Sequence, residues 1–177
     1  MTPDHVVAEV FAQFAGRSMV PTTGVREAHH IGDSDLPYVY AGEGSELQLL
    51  HVDLNQGLWI SKTRFSPGVM LPRHFHTGHV FAVTLCGEWY YKEYPQSVNR
   101  AGSYLFEPAG SVHTLVVPEQ EGITEAWFAI QGANVLIDES GRPTAIVDAQ
   151  SALDVYRAFC RAQGKSCDQL LVIGESK

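Results

Sequence analysis

Two histidines set two residues apart, His74 and His76, constrain this chain more than any other feature. On an extended strand successive side chains alternate faces, so both imidazoles point to the same side. A later segment, Pro108-Ala109-Gly110-Ser111-Val112-His113, carries a Pro-x-Gly turn that delivers a third histidine, His113. Three imidazoles converging from two strands would supply three nitrogen donors and leave positions open on a metal ion. His74, His76 and His113 are therefore the candidate metal ligands.

The segments around them read as short strands separated by turns. Tyr38 to Tyr40, Glu46 to Val52 and Leu58 to Phe65 are rich in β-formers and are divided by Gly42-Glu43-Gly44 and Asn55-Gln56-Gly57. Leu85-Cys86-Gly87-Glu88 reads as a turn into a return strand from Trp89 to Lys92, and Glu125 to Ile130 and Ala133 to Ile137 complete a barrel. Two helices flank it. Residues 3 to 15 begin with Pro3 and Asp4, end before Gly16, and carry Val7, Val10, Phe11 and Phe14 on one stripe. Asp148 to Gln163 has Asp148 as N-cap, Gly164 after its end, and a stripe of Leu153, Tyr156, Phe159 and Cys160. Gly141 to Pro143 reads as a turn, and Leu170 to Ile173 as a short apolar segment. The expected organisation is one all-β domain over residues 1–177. Residues 1–35 form an N-terminal helix and arm, 36–140 the antiparallel barrel, and 141–177 a C-terminal helix and tail.

The net charge of −8 is scattered along the chain, which argues against nucleic acid or an anionic membrane as partner. No apolar run is long enough to span a bilayer and no secretory signal pattern opens the chain, so the expected location is cytoplasmic. Cys86, Cys160 and Cys167 form no CxxC pair and no disulfide framework, which fits a reduced compartment. No organic cofactor is expected. Strand parity turns His79 away from the other two motif histidines, and adjacent His29 and His30 face opposite ways. His51 reads as a wall residue.

The pattern G-x5-H-x-H…G, followed by G-x5-P-x-G-x2-H, resembles the two motifs of the cupins, which implies a jelly-roll fold. One position departs from the cupin pattern. The glutamate that normally follows H-x-H falls at Val80 here, which cannot bind a metal. The expected site is thus three imidazoles without that carboxylate. Iron(II) suits such a site, with zinc or nickel as alternatives.

Three further stretches narrow the resemblance: Gly87 to Glu93, then Phe106-Glu107-Pro108, and finally Val135-Leu136-Ile137-Asp138 with Ala149, Tyr156 and Gly164. They are similar to the 2,4′-dihydroxyacetophenone dioxygenases, which share a three-histidine site with acetylacetone-cleaving enzymes. That resemblance implies a C–C-cleaving dioxygenase acting on a small aromatic hydroxyketone and O2. It further implies Tyr91 and Glu107 as an acid–base pair, and a homodimer or homotetramer. Trp59, Phe65, Phe81, Trp89, Tyr90, Phe106, Trp127 and Phe128 offer more rings than one aryl pocket needs. The rival readings are a zinc-binding cupin sensor, a β-diketone-cleaving dioxygenase, a thiol dioxygenase, and a metal-dependent isomerase or decarboxylase.

Overall fold

A computed structural model of the chain describes residues 27–175. The helix expected over residues 3–15 lies outside them. The chain divides into two units, Met1–His30 and Ile31–Lys177, and the strands, helix and site that follow belong to the second.

In chain order the strands are β1 (Val39–Gly42), β2 (Ser45–Asp53), β3 (Leu58–Phe65), β4 (His74–His76), β5 (Val80–Cys86), β6 (Glu88–Tyr91) and β7 (Asn99–Arg100). There follow β8 (Tyr104–Glu107), β9 (Val112–His113), β10 (Leu115–Val116), β11 (Thr124–Gln131), β12 (Asn134–Ile137), β13 (Pro143–Val147) and β14 (Leu171–Ile173). The largest sheet runs β1-β2-β3-β11-β5-β8, with β14 added beside β2. Two smaller sheets, β10-β6-β7 and β13-β12-β4-β9, face it. The result is the expected all-β jelly roll, built as a sandwich rather than as one ladder closed into a ring. Strands β7, β9 and β10 are two residues each, too short to carry hydrogen bonding continuously around the wall. Every pairing is antiparallel except β14 on β2.

Alternation decides what faces inward. In β3 Trp59, Ser61 and Phe65 are buried while Lys62 and Arg64 turn outward. On that outer side Arg64 Nε donates to Glu125 Oε2 at 2.8 Å, and the Arg64 guanidinium lies 3.7 Å from the Tyr38 ring centre. Leu49, Val52, Val80, Ala82 and Trp89 fill the interior.

Gly87, between β5 and β6, has φ +69° and lies so close to β11 that a Cβ there would meet the Ile123 carbonyl oxygen at 2.7 Å. Only glycine tolerates both conditions.

The helix Ala149–Ala162 begins and ends where its caps predict. Asp148 Oδ1 accepts the Ser151 N–H at 2.8 Å, and Ser151 Oγ accepts the Asp148 N–H at 2.7 Å. Its buried stripe is Ala149, Ala152, Leu153, Tyr156 and Cys160, with Phe159 partly buried beside it. The Tyr156 hydroxyl donates to the Pro37 carbonyl at 2.6 Å, fastening the helix to the segment that enters β1.

Strand structure continues past residue 140. Pro143, expected to end a turn, instead opens β13, whose residues are exposed up to a partly buried Val147 and lack alternation; β13 is held by its ladder with β12. Cys86, Cys160 and Cys167 are free thiols. No helix among the described residues is long and apolar enough to cross a membrane.

Candidate metal centre

Strand β4 presents His74 and His76 on one face, and β9 sets His113 directly opposite His74 in the ladder. The three are 6, 5 and 1% exposed, and one donor atom from each lies within 4.8 Å of the others. The Pro-x-Gly turn behind His113 is closed by the Ser111 N–H donating to the Pro108 carbonyl at 3.2 Å. The Gly110 N–H then donates to the His76 carbonyl at 2.8 Å, docking the turn on β4. Both sequence motifs therefore meet through backbone as well as side chains.

His74 Nδ1 lies 2.7 Å from the Pro72 carbonyl oxygen, to which an Nδ1–H donates, leaving Nε2 with its lone pair free. Burial lowers the His74 pKa, and burial takes His76 down to about 4 against the opposing charge of Glu107. Both rings are neutral at pH 7, the form in which imidazole binds a cation.

Glu107, on β8, stands directly across from Val80 on β5. Directly opposed residues in an antiparallel pair share a face. The ligand cluster is the three imidazoles expected, and a carboxylate approaches it from the neighbouring strand: Glu107 Oε2 lies 3.2 Å from His113 Nε2 and 3.5 Å from His76 Nε2. The Tyr91 hydroxyl donates to Glu107 Oε1, and the Tyr91 ring stacks on His113 with centroids 4.0 Å apart. Burial pushes the Glu107 carboxyl up, but His113 close by, with the Tyr91 hydroxyl and His76, outweighs it and holds the pKa below the ordinary value. Burial and the Glu107 charge push Tyr91 well up, so the phenol stays protonated.

His113 Nε2, His76 Nδ1 and Glu107 Oε2 are buried without an aligned hydrogen-bond partner among the described residues. Orphaned buried donors and acceptors are costly unless something satisfies them. Neutral imidazoles beside an ionised carboxylate suit a divalent cation, so the residues present fit a metal ion.

Residues 26–133 match the ChrR cupin-like domain family. The chain is a member of that cupin family. Among solved structures it is similar to a cupin-like protein of unknown function from Ralstonia eutropha JMP134, with 33% identity, 88% of this chain and 96% of that one covered, and TM-score 0.77. An RmlC-like cupin from the same organism shares 26% identity over 81% of this chain and 94% of that one, with TM-score 0.74. The acetylacetone dioxygenase of Acinetobacter johnsonii shares the fold at 21% identity and TM-score 0.67, with 81% of this chain and 99% of that one covered. A comparison with curated proteins gives no match.

In this cupin a cavity of about 560 Å³ reaches His74, His76, Tyr91 and Glu107. Of the candidate pocket rings, Trp59, Phe65 and Phe128 line it. Trp89 is fully buried behind Tyr91, and Phe81 and Phe106 sit exposed on the outer face. His79 is exposed there too, its ring centroid 5.0 Å from that of Phe81, as its parity requires. His51 is a half-buried wall residue, and His29 and His30 are exposed. Asn134, opposite His76 on β12, lines the cavity and was not anticipated; its isolated position in a short apolar run offered no signal.

Proposed function

We propose that this cupin is a non-haem iron(II) dioxygenase acting on a small aromatic hydroxyketone such as 2,4′-dihydroxyacetophenone. It cleaves the bond between the ketone carbon and its hydroxylated neighbour, giving an aryl carboxylate and formate. One relationship carries the reading. The Tyr91 hydroxyl donates to Glu107, whose other oxygen lies against His76 and His113 at the wall of an otherwise apolar cavity.

His74, His76 and His113 would hold the iron. When bound, the ion supplies a chelating point for adjacent substrate oxygens and a means of engaging dioxygen. Three imidazole ligands carry no negative charge of their own to offset that of the ion, so an anionic ligand, which an enolised hydroxyketone would provide, is favoured. Glu107 is ionised and takes the proton from the carbon beside the carbonyl at Oε2. Tyr91 occupies Oε1, which fixes the carboxylate and leaves Oε2 turned toward the histidines. Trp59, Phe128 and Ile130 accommodate the aryl group and exclude water. Both oxygen atoms of O2 end in the two acids, which balances the reaction without a further reductant. The protein acts in the cytoplasm as a homodimer or homotetramer.

Anaerobic loading with ferrous ion followed by an oxygen-electrode assay tests this. Oxygen uptake on 2-hydroxyacetophenones, matched by formate and benzoate-type product, supports it. Uptake on β-diketones alone favours diketone cleavage. Zinc held against exchange, with no uptake on either class, favours a zinc-sensing module.

A further inference from the structure

The two ring nitrogens of His76 have unlike surroundings. Nε2 faces the cluster, 3.5 Å from Glu107 Oε2, whereas Nδ1 is buried with no hydrogen-bond partner among the described residues. A neutral imidazole carries one N–H and one lone pair, so a ring that offers Nε2 to a cation must keep its proton at Nδ1. His74 meets that condition through the Pro72 carbonyl, 2.7 Å from its Nδ1. His76 has no such backbone acceptor. Glu107 adds a competing pull, because a carboxylate oxygen beside Nε2 favours the proton on the nitrogen that should be bare.

The β4–β12 ladder supplies an acceptor. The Thr77 N–H donates to the Ala133 carbonyl at 2.8 Å, and the Ile137 N–H to the Arg73 carbonyl at 2.9 Å. Residues 77 with 133 and 73 with 137 are therefore hydrogen-bonded pairs. The two kinds of pair alternate along an antiparallel ladder, so His76 and Asn134, directly opposite each other, form a non-hydrogen-bonded pair. In such a pair the Cα atoms are only about 4.5 Å apart and the side chains are closest. His76 and Asn134 both line the cavity, so their side chains share a face. Asn134 Oδ1 is itself buried and unpartnered among the described residues. On the other side of His76 the β4–β9 ladder ends at Phe75, and β9 presents no competing residue. A donor without an acceptor thus faces an acceptor without a donor.

We propose that Asn134 is a positioning residue for the metal centre: its Oδ1 accepts the His76 Nδ1–H, which keeps the Nε2 lone pair free on the side of His113 and Glu107. Side-chain rotation alone makes this bond, because the two backbones already lie at the closest ladder spacing. Without it the His76 proton moves to Nε2, toward Glu107, and the ring no longer offers a ligand nitrogen to the cluster. The assignment rests on the three-histidine metal reading of this site and is independent of the substrate.

Two measurements test it. Nitrogen–proton correlation NMR of the metal-free protein with 15N-labelled histidine reads the His76 tautomer, its signals assigned by their loss in His76→Ala. Competition for zinc against a chromophoric chelator reads the affinity of the site. The wild type should show His76 protonated at Nδ1. Asn134→Leu, close in volume but without an acceptor, should move the proton to Nε2 and weaken zinc binding about 10–100-fold. Asn134→Asp, which keeps an oxygen at the same place, should retain the Nδ1–H and bind zinc at least as tightly as the wild type. A purely structural role would lower the melting temperature without moving the proton. Thermal melts establish that each variant folds, and Asn134→Ala replaces Asn134→Leu should the latter not fold. A wild type protonated at Nε2, a tautomer unmoved in the folded variant, or zinc affinity equal to wild type in that variant overturns the proposal. If the proton moves as expected but the wild type takes up no zinc, the metal reading fails and the placement of the proton by Asn134 stands.

Discussion

Glu107 faces Val80 across the β5–β8 ladder, and its carboxylate reaches within 3.5 Å of two of the three clustered histidines. A carboxylate held by a neighbouring strand, with one oxygen occupied by the Tyr91 hydroxyl, is better placed to move a proton than to serve as a fourth fixed ligand.

Replacing Glu107 by Gln keeps the volume and the Tyr91 neighbour but removes the base. Steady-state kinetics of the iron-loaded variant should show kcat lowered about 100-fold or more, with iron content by elemental analysis equal to wild type. An unchanged kcat would remove Glu107 from the chemistry.

Val80→Glu tests the exchange of position directly. A second carboxylate buried against Glu107 should destabilise the metal-free protein by on the order of 3 kcal/mol. A divalent cation would then recover more stability than in the wild type, because it offsets two acids instead of one. Thermal melts with and without metal measure both quantities, and equal metal-induced shifts in the two proteins would count against a carboxylate at this place.

Much of the site was readable from spacing alone. The i, i+2 histidines needed only strand parity, Pro108-x-Gly110 needed only its turn chemistry, and the caps at Asp148 and Gly164 mark the helix ends through local hydrogen bonds and a left-handed residue. What escaped depends on partners distant in the chain. That Glu107 stands opposite Val80, beside the histidines, follows from the register between β5 and β8, which neither segment encodes by itself. Strand β13 buries only part of Val147 and so leaves no alternating pattern, and β14 pairs in parallel with a strand far earlier in the chain. Which aromatics line the cavity is decided by sheet face: Phe81 and Phe128 are equally apolar, but only Phe128 points inward.

The turn glycine of the first motif gives a stability prediction. Gly87→Ala places a Cβ against β11 at φ +69°, while at Gly57, φ +63°, nothing lies within 4 Å of a Cβ. Left-handed strain alone costs about 1–2 kcal/mol, so Gly57→Ala should lose that much and Gly87→Ala clearly more. Urea midpoints at unchanged slope report the difference, and equal losses would mean that β11 does not crowd the turn.

At the helix start, Asp148→Ala should cost about 1 kcal/mol. The hydrogen bond from the Ser151 hydroxyl, with the Ser151 N–H, holds the Asp148 carboxyl below its usual range. A carboxyl lowered in the native state contributes stability that is present above its unfolded value, about 3.9, and is lost as pH falls through the native one. The gap between wild type and variant in denaturant unfolding should therefore be full at pH 6 and close under strong acid. A gap that persists there would show that the cap acts without its charge.

The central claim is that His74, His76 and His113 together hold one redox-capable ion. Anaerobic loading with ferrous ion, desalting and elemental analysis of the wild type beside His74→Ala, His76→Ala and His113→Ala measure it most directly. The account predicts one iron per chain in the wild type and none retained in any of the three folded variants. A wild type that retains no iron, or a His113→Ala protein that retains it undiminished, would contradict it.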